Sequence, residues 1–247
     1  MKHLTRVVAF VALIALAACG QAPPIEPQAQ SIAGTVVSPD PTVKFQGAAL
    51  LMLDPDALAP ADVIEIVPGA YSSAMTPIAA DGSFELPLPT AEELPANLLQ
   101  PATGFIRAVD STCELAASVP SAKVTPYLVG AGPAMIVPAV YVMGIFGTAL
   151  TVVTPTAIDF DDPGLEIYDL QMVTWLYADA DVAVTSPDGG CITGSQPLVV
   201  DLDLEKGWNQ VVLSFVTEPG TVPAVVTEMN VSNGTFEDLY FNALGGL

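Results

Sequence analysis

The chain has 247 residues, 51% of them hydrophobic, and its 27 acidic residues outnumber its 6 basic residues to give a formal net charge of −21. Such a charge repels phosphate backbones, and nucleic-acid affinity comes largely from Lys and Arg contacts, so a nucleic-acid partner is excluded. The single histidine is His3, so the rest of the chain has no imidazole for a Ser–His–Asp or Cys–His relay, or for a histidine-ligated zinc or haem.

The first eighteen residues have the pattern of an export signal. Lys2 and Arg6 carry positive charge, and an unbroken apolar run follows from Val7 to Ala18. A helix needs about 20 apolar residues to span a membrane, so this run is too short to remain as an anchor. We expect residues 1–18 to be removed as a signal peptide, and His3 to leave with them.

The sequence Leu16-Ala17-Ala18-Cys19 resembles the lipobox of bacterial lipoproteins. The small Ala17 and Ala18 suit a peptidase with a narrow cleft, and the Cys19 thiol is the group that takes a diacylglycerol. The resemblance implies a further acyl chain on the new N-terminus, and two or more buried chains give a stable lipid anchor to the membrane. The alternative is an ordinary secretory signal with an incidental cysteine. Since Gly20 replaces the aspartate that often retains lipoproteins at the inner membrane, the cell envelope is expected, with the outer membrane favoured over the inner membrane.

Residues 19–31 are predicted to form the lipidated tether. This segment is rich in Gln, Ala and Pro and shows no periodicity. Pro23, Pro24 and Pro27 cannot continue a helix and favour an extended backbone. We expect the segment to hold the folded body away from the membrane.

From residue 32 onward the chain is typical of an all-β protein, and we expect an antiparallel β-sandwich of one or two closely packed units. Residues 32–37, 47–53 and 63–67 are predicted strands. Asp81-Gly82 is a strong hairpin signal. After this turn, alternate apolar residues share one face, and prolines place the strand at a sheet edge or end it; these residues are Phe84, Leu86, Leu88, Pro87 and Pro89.

Three of these segments resemble the carboxypeptidase-regulatory-like (transthyretin-like) β-sandwich: Ile32-Ala33-Gly34-Thr35-Val36, Gly47-Ala48-Ala49-Leu50-Leu51-Met52-Leu53 and Ala80-Asp81-Gly82-Ser83-Phe84-Glu85-Leu86. The family shows a Gly-x-Val strand, a Gly-Ala-x-Val-x-Leu strand and an Asp-x-Asp-Gly-x-Phe hairpin. This chain departs from that pattern at Ala79 and in the long segment 54–75. The resemblance implies a structural or binding module without catalysis.

The middle of the chain contains two further predictions. Thr90-Ala91-Glu92-Glu93 has the form of a capping box and predicts one short helical turn through Leu99. Residues 124–158 contain no charged side chain, which raises the alternative of a membrane span. Proline and glycine interrupt every stretch of that length, so we expect buried strands near 134–143 and 149–153 instead.

The distal part predicts strands over 105–109, 172–177, 182–185, 198–204, 208–215, 224–227 and 236–241. Trp175-Leu176-Tyr177-Ala178-Asp179, Cys191 and Leu202-Asp203-Leu204-Glu205-Lys206-Gly207-Trp208-Asn209 resemble small bacterial envelope lipoproteins. That resemblance implies a shared architecture and location and implies no activity. We expect an N-terminal unit over 32–118 and a C-terminal unit over 119–247, with the boundary near 115–125.

Cys113 and Cys191 are an even pair in an exported chain and predict a disulfide. The bond would close a loop of about 79 residues and stabilise the fold by roughly 4–5 kcal/mol in the chain-entropy model. Two buried free thiols are the alternative.

Acidic turns are the only candidates for chemistry. Asp159, Asp161 and Asp162 fall in one turn and Asp179 and Asp181 in another, and oxygen-rich clusters suit Ca²⁺. Their spacing does not match an EF-hand, so solvated turn acids are the simpler interpretation. Tyr168, Trp175, Tyr177 and Trp208 could form an aromatic platform for a glycan or could anchor the core.

The sequence therefore favours a membrane-anchored envelope protein with a non-catalytic structural or binding role and no cofactor. Its expected partners are the membrane, through the lipid on Cys19, and an envelope protein or glycan. The rivals are an envelope hydrolase using paired carboxylates and a Ca²⁺-binding surface protein.

Overall fold

The structure is a computed structural model that describes residues 30–37, 48–52, 76–108, 114–129, 136–137, 139–144, 147–159, 171–193, 196–219 and 225–244. Within these residues every regular element is a β-strand and there is no α-helix. The prediction of an all-β protein is confirmed.

The described strands, in chain order, are β1 (Ser31–Val37), β2 (Ala48–Met52), β3 (Thr76–Pro77), β4 (Ser83–Pro87), β5 (Gln100–Pro101), β6 (Ile106–Ala108), β7 (Ala116–Ala117), β8 (Lys123–Val124), β9 (Tyr127–Val129), β10 (Ile136–Val137), β11 (Ala139–Gly144), β12 (Gly147–Thr154), β13 (Met172–Ala178), β14 (Val182–Thr185), β15 (Cys191–Thr193), β16 (Gln196–Leu204), β17 (Gly207–Thr217), β18 (Val226–Asn233) and β19 (Tyr240–Leu244).

The first sheet has seven strands in the order β3-β2-β11-β12-β19-β1-β4. Its first and last strands, β3 and β4, are joined through the Asp81-Gly82 turn and contact each other, so the sheet is strongly curled. The turn itself forms as predicted: Gly82 has a φ of 86°, and the Gly82 N–H donates to the Ala79 carbonyl at 2.9 Å. β4 is an edge strand, as its prolines predict.

The second sheet has the order β5-β8-β13-β17-β18-β16-β14-β7, and β15 extends it by pairing with β16. β16 and β17 follow each other along the chain but are separated by β18, which pairs in parallel with β16 and antiparallel with β17. A small third sheet has the order β10-β9-β6. The pairs β1–β19, β16–β18 and β6–β9 are parallel, so the sheets are mixed rather than purely antiparallel.

β13 separates two hydrophobic cores. Its seven side chains are all buried, because alternate residues point to opposite faces of the sheet and both faces are covered. Val173, Trp175 and Tyr177 belong to the core shared with the first sheet. Met172 and Leu176 belong to the core enclosed by the curled second sheet and the small sheet. A continuous run of buried residues is the expected sequence of such a strand.

The alternation predicted in β16 is also confirmed. Leu202 and Leu204 are buried, whereas Asp201 and Asp203 are exposed. A strand with one covered face requires this period of two, since successive side chains point to opposite sides.

The segment after β4 differs from the prediction of a short helical turn. One half of the capping box forms: the Thr90 N–H donates to Glu93 Oε2 at 2.8 Å, whereas the Glu93 N–H donates to the Thr90 carbonyl at 3.1 Å. No helix follows, and two separate turns occupy residues 91–98. Pro95 has no N–H to continue the ladder, so the first turn ends there.

Several other predictions concern residues that the structure describes only in part. β1 begins at Ser31, and Gln30 is hydrogen-bonded to the body. The tether over 19–31 stays a prediction. The predicted strand over 63–67 lies outside the described residues. Among the residues that the structure describes, no helix has the length and apolar character needed to cross a membrane. The boundary near 115–125 stays a prediction; strands from both sides of it share the first and the second sheet.

Candidate functional site

Gln30 fastens the start of the body at two points. The Leu88 N–H donates to the Gln30 carbonyl at 2.8 Å, and the Trp208 N–H donates to Gln30 Oε1 at 2.9 Å. The first contact continues the β1–β4 ladder by one residue, and the second joins β1 to the start of β17. We call Gln30, Leu88, Pro89 and Trp208 the tether junction.

Trp208 holds the junction together with its side chain. Its indole N–H donates to the Pro89 carbonyl at 2.8 Å, and its half-buried ring meets Tyr177 edge-on, with centroids 5.6 Å apart. This geometry suits an aromatic side chain with one apolar face and one polar atom, because both are satisfied at once. The ring therefore links the end of β4 to β13.

Gly207, the residue before Trp208, has a backbone conformation that favours glycine. Its φ of 113° lies in a region that side chains with a Cβ rarely adopt, and a Cβ built there would lie 3.7 Å from Gln30 Oε1. The preceding turn is closed by Asn209, whose Oδ1 accepts from the Glu205 N–H at 2.8 Å and whose Nδ2 donates to the Glu205 carbonyl at 2.7 Å. The Lys-Gly-Trp-Asn sequence thus forms a turn that places the Trp208 N–H within hydrogen-bond distance of Gln30 Oε1.

The acids beside the junction bind backbone groups. Asp181 Oδ1 accepts from the Lys206 N–H at 2.7 Å, and Asp179 Oδ1 accepts from the Lys123 N–H at 2.7 Å. Both carboxylates therefore close turns between distant segments, since each charge-assisted bond satisfies an N–H outside the ladders. Burial raises the pKa of Tyr177, and the negative charge of Asp179 raises it further.

The predicted calcium ligands are only partly described. Asp159, Asp179 and Asp181 fall within the described residues, whereas Asp161 and Asp162 fall outside them. Within the described ranges, no group of three or more His, Cys, Asp or Glu side chains is arranged to hold a metal ion. Calcium binding at this set of acids therefore stays a prediction.

Cys191 is buried at the start of β15, in the core enclosed by the second sheet. Leu115, two positions after Cys113, lies in the same core. Cys113 itself falls outside the described residues, as do the lipobox residues Leu16, Ala17, Ala18 and Cys19. The disulfide and the lipidation therefore stay predictions.

The aromatic residues of the second sheet pack the core. Trp175 is 6% exposed and its ring stacks on Phe241 with centroids 6.2 Å apart. Tyr177 is also buried, and Tyr168 lies outside the described residues. Of the four aromatics singled out in the sequence, Trp208 alone among those described has a half-buried ring.

Tyr127 carries the one unpartnered polar atom among the described buried side chains. The residue is fully buried beside Phe105, and its hydroxyl has no hydrogen-bond partner. Burial raises its pKa, because the apolar surroundings disfavour the phenolate. No sequence pattern marked this position.

Gln30 was also missed from the sequence. It is one of several Gln residues in a Pro-rich segment, and its partner Trp208 is 178 positions away. The only local signal at this site is the Lys206-Gly207-Trp208-Asn209 turn, which shows where a strand begins but not what meets it.

The fold and the junction define an all-β protein whose first strand is clamped at its N-terminal end. Comparisons with protein-family models, with curated proteins and with solved structures found no match to this chain. Its function is inferred below from its own residues and contacts.

Proposed function

We propose that this chain is a lipid-anchored protein of the bacterial envelope whose acidic β-body has a non-catalytic structural or binding role. The lipid is carried by Cys19, and the outer membrane is the favoured location. The observation that carries the proposal is the tether junction, which fixes the start of the body a short distance after Cys19.

The spacing suits an anchored protein. Gln30 lies eleven positions after Cys19, and a chain of that length reaches at most roughly 40 Å. A force on the anchor is transmitted at Gln30, where the ladder bond to Leu88 and the side-chain bond to Trp208 share it. A body tied down at its first residue is better suited to anchoring than one with a frayed end.

The use of the acids supports a structural or binding role. Asp179, Asp181 and Glu93 each accept a backbone N–H, so their carboxylates stabilise turns. The large negative charge keeps such a body soluble and repels anionic surfaces. Contact with the membrane is then made through the lipid rather than through the protein surface.

The lipid anchor is tested by metabolic labelling with radioactive palmitate in a bacterium with two membranes. The full chain should incorporate the label and sediment with the outer membrane, and Cys19→Ala should do neither. A Cys113→Ala/Cys191→Ala double variant is the matched control, because it loses two thiols and keeps the lipobox. An unlabelled wild-type chain, or a Cys19→Ala chain that is labelled equally, would overturn the proposal.

The binding role is tested by chemical cross-linking in intact cells. The anchored chain should give discrete cross-linked products that Cys19→Ala, released from the membrane, gives less often, because tethering raises the local concentration of an envelope partner. If both chains give no product, the role is structural. Turnover of a glycan or ester substrate by the purified body would contradict a non-catalytic role.

A further inference from the structure

The strands of the body run between two ends, and only one of them carries the tether junction. We infer that this end, the near end, faces the bilayer, and that the opposite end, which carries the β17–β18 hairpin, is held away from it. The inference rests on the proposed function, because it requires the lipid on Cys19.

The near end is defined by strand register. Ser31, the first residue of β1, lies opposite Pro87, the last residue of β4. In the second sheet, Gly207 at the start of β17 lies opposite Ala178 at the end of β13, and Ala178 lies opposite Val124. The Gln30–Trp208 bond joins these two groups, so both sheets present the same end to the tether.

The far end is defined by the opposite termini of the same strands. β17 ends at Thr217, opposite Val226 at the start of β18. In the first sheet, the Val36 N–H donates to the Gly82 carbonyl at 2.9 Å, which places the Asp81-Gly82 turn at the far end of β1.

The separation of the two ends is comparable with the reach of the tether. β17 has 11 residues. At about 3.3 Å per residue its length is roughly 35 Å. The near end cannot lie more than roughly 40 Å from the lipid-bearing residue. With the strands perpendicular to the bilayer, the far end therefore lies up to about twice as far from the lipid-bearing residue as the near end.

Both ends of the body carry exposed acids, since Asp81 and Glu218 are exposed at the far end. Exposed acids at the near end, Glu92, Glu93, Asp181 and Glu205, outnumber the exposed bases there, Lys123 and Lys206. An acidic surface is not attracted to anionic lipid headgroups. A layer of water therefore separates this end from the bilayer that it faces. Two of the three large apolar side chains that stand out from the described surface, Val216 at 44% and Val225 at 48% exposed, lie on the far hairpin.

Energy transfer from the body to the bilayer tests this orientation. A fluorescent unnatural amino acid replaces Ala96, in the exposed turn after Pro95 at the near end, or Val225 at the far end. Each lipidated chain is incorporated into vesicles of phosphatidylethanolamine and phosphatidylglycerol that contain an acceptor-labelled headgroup. Transfer should be several-fold stronger from position 96, and equal or reversed efficiencies would overturn the inference.

Two further chains separate the outcomes. With Cys19→Ala, neither label should show transfer above the background of free protein. If the wild-type chain also shows none, the lipid anchor fails and both proposals fall; if both labels transfer equally, only the orientation falls. Deleting residues 22–27 shortens the reach by about 20 Å and should raise transfer from both labels while keeping their order. A reversed order in that chain would also count against the near end facing the bilayer.

Discussion

Gly34 of β1 lies beneath the ring of Phe241 of β19, at the parallel pairing that joins the first and last described strands. A Cβ built on Gly34 would lie 2.6 Å from the Leu239 carbonyl and would collide with the Phe241 ring. Phe241 is fully buried, meets Phe84 edge-on at 4.7 Å and stacks on Trp175. The absence of a side chain at residue 34 is what lets the two sheets close over this ring.

The first prediction concerns this contact. Gly34→Ala should lower the free energy of unfolding by about 1–3 kcal/mol, because an added methyl group forces the ring and the Leu239 backbone to move. Chemical denaturation measures the change. Gly104→Ala is the matched control, since a Cβ there has no neighbour within 4 Å in the part of the chain that the structure describes, and it should be nearly neutral. Equal effects of the two substitutions would refute the packing argument.

The second prediction concerns the buried Tyr127 hydroxyl. Tyr127→Phe should raise the free energy of unfolding by about 1–3 kcal/mol, because a buried donor without a partner costs its desolvation energy. Tyr127→Leu should destabilise the fold, since it removes ring contacts as well. A destabilised Tyr127→Phe variant would show that the hydroxyl has a bonding partner in solution.

The same residue predicts a dependence on alkaline pH. Because the pKa of Tyr127 is raised above its ordinary value of 10.0, the folded chain keeps this proton more readily than the unfolded chain. Its contribution to stability is present below pH 10 and is lost as the pH rises above that value. Melting temperatures from pH 8 to 11 should therefore fall more steeply for the wild type than for Tyr127→Phe. Parallel curves would contradict this.

The third prediction concerns the tether junction. Gln30→Ala removes the acceptor for the Trp208 N–H and keeps the backbone bond to Leu88, so we expect a loss of about 0.5–1 kcal/mol. Hydrogen exchange at the Trp208 amide should become faster by several-fold. Gln100→Ala is the control, because among the described residues its side chain bonds only the nearby Leu98 carbonyl, at 3.4 Å. Unchanged exchange at Trp208 would contradict the clamp.

The fourth prediction concerns acid pH. The Thr90 N–H and hydroxyl both donate to Glu93, and these bonds hold the pKa of Glu93 below its ordinary value of 4.5. Its contribution to stability is therefore complete above pH 4.5 and is lost as the pH falls through the lowered value. Glu93→Gln should be less stable than the wild type at pH 7, and the difference should shrink between pH 5 and 2.5. Thr90→Val keeps the backbone bond, which lowers the pKa of Glu93 more than the hydroxyl bond does, and should change the dependence of stability on pH less than Glu93→Gln. A stability difference between Glu93→Gln and the wild type that stays constant from pH 5 to 2.5 would count against the mechanism.

The fifth prediction concerns the cysteines. Peptide mass spectrometry without reduction should find Cys113 joined to Cys191, and reduction should lower stability by up to roughly 4–5 kcal/mol. Leu115, two positions after Cys113 in the sequence, lies in the same core as Cys191. Two free thiols in native protein would exclude the bond.

Local patterns in the sequence were sufficient to predict most of the described strands. The alternation in β16, the Asp81-Gly82 turn and the edge position of β4 depend on neighbouring residues, and all three were predicted correctly. The capping box at Thr90 was also recognised, but its helix was not formed because Pro95 ends the turn. Hydrophobic periodicity, turn residues and proline determine structure over a few neighbouring residues, so their effects can be predicted directly from the sequence.

Pairing between distant segments was decided only by the tertiary structure. The sequence alone determined the acidic composition, the strand-rich character of the chain and the turn before Trp208. It did not indicate that β19 pairs in parallel with β1, that β18 separates β16 from β17, or that Gln30 reaches Trp208. The β16–β18, Gln30–Trp208 and β1–β19 contacts join residues 31 to 205 positions apart, and no local propensity encodes which distant strand completes a sheet. Burial of both faces of β13 selects the arrangement instead.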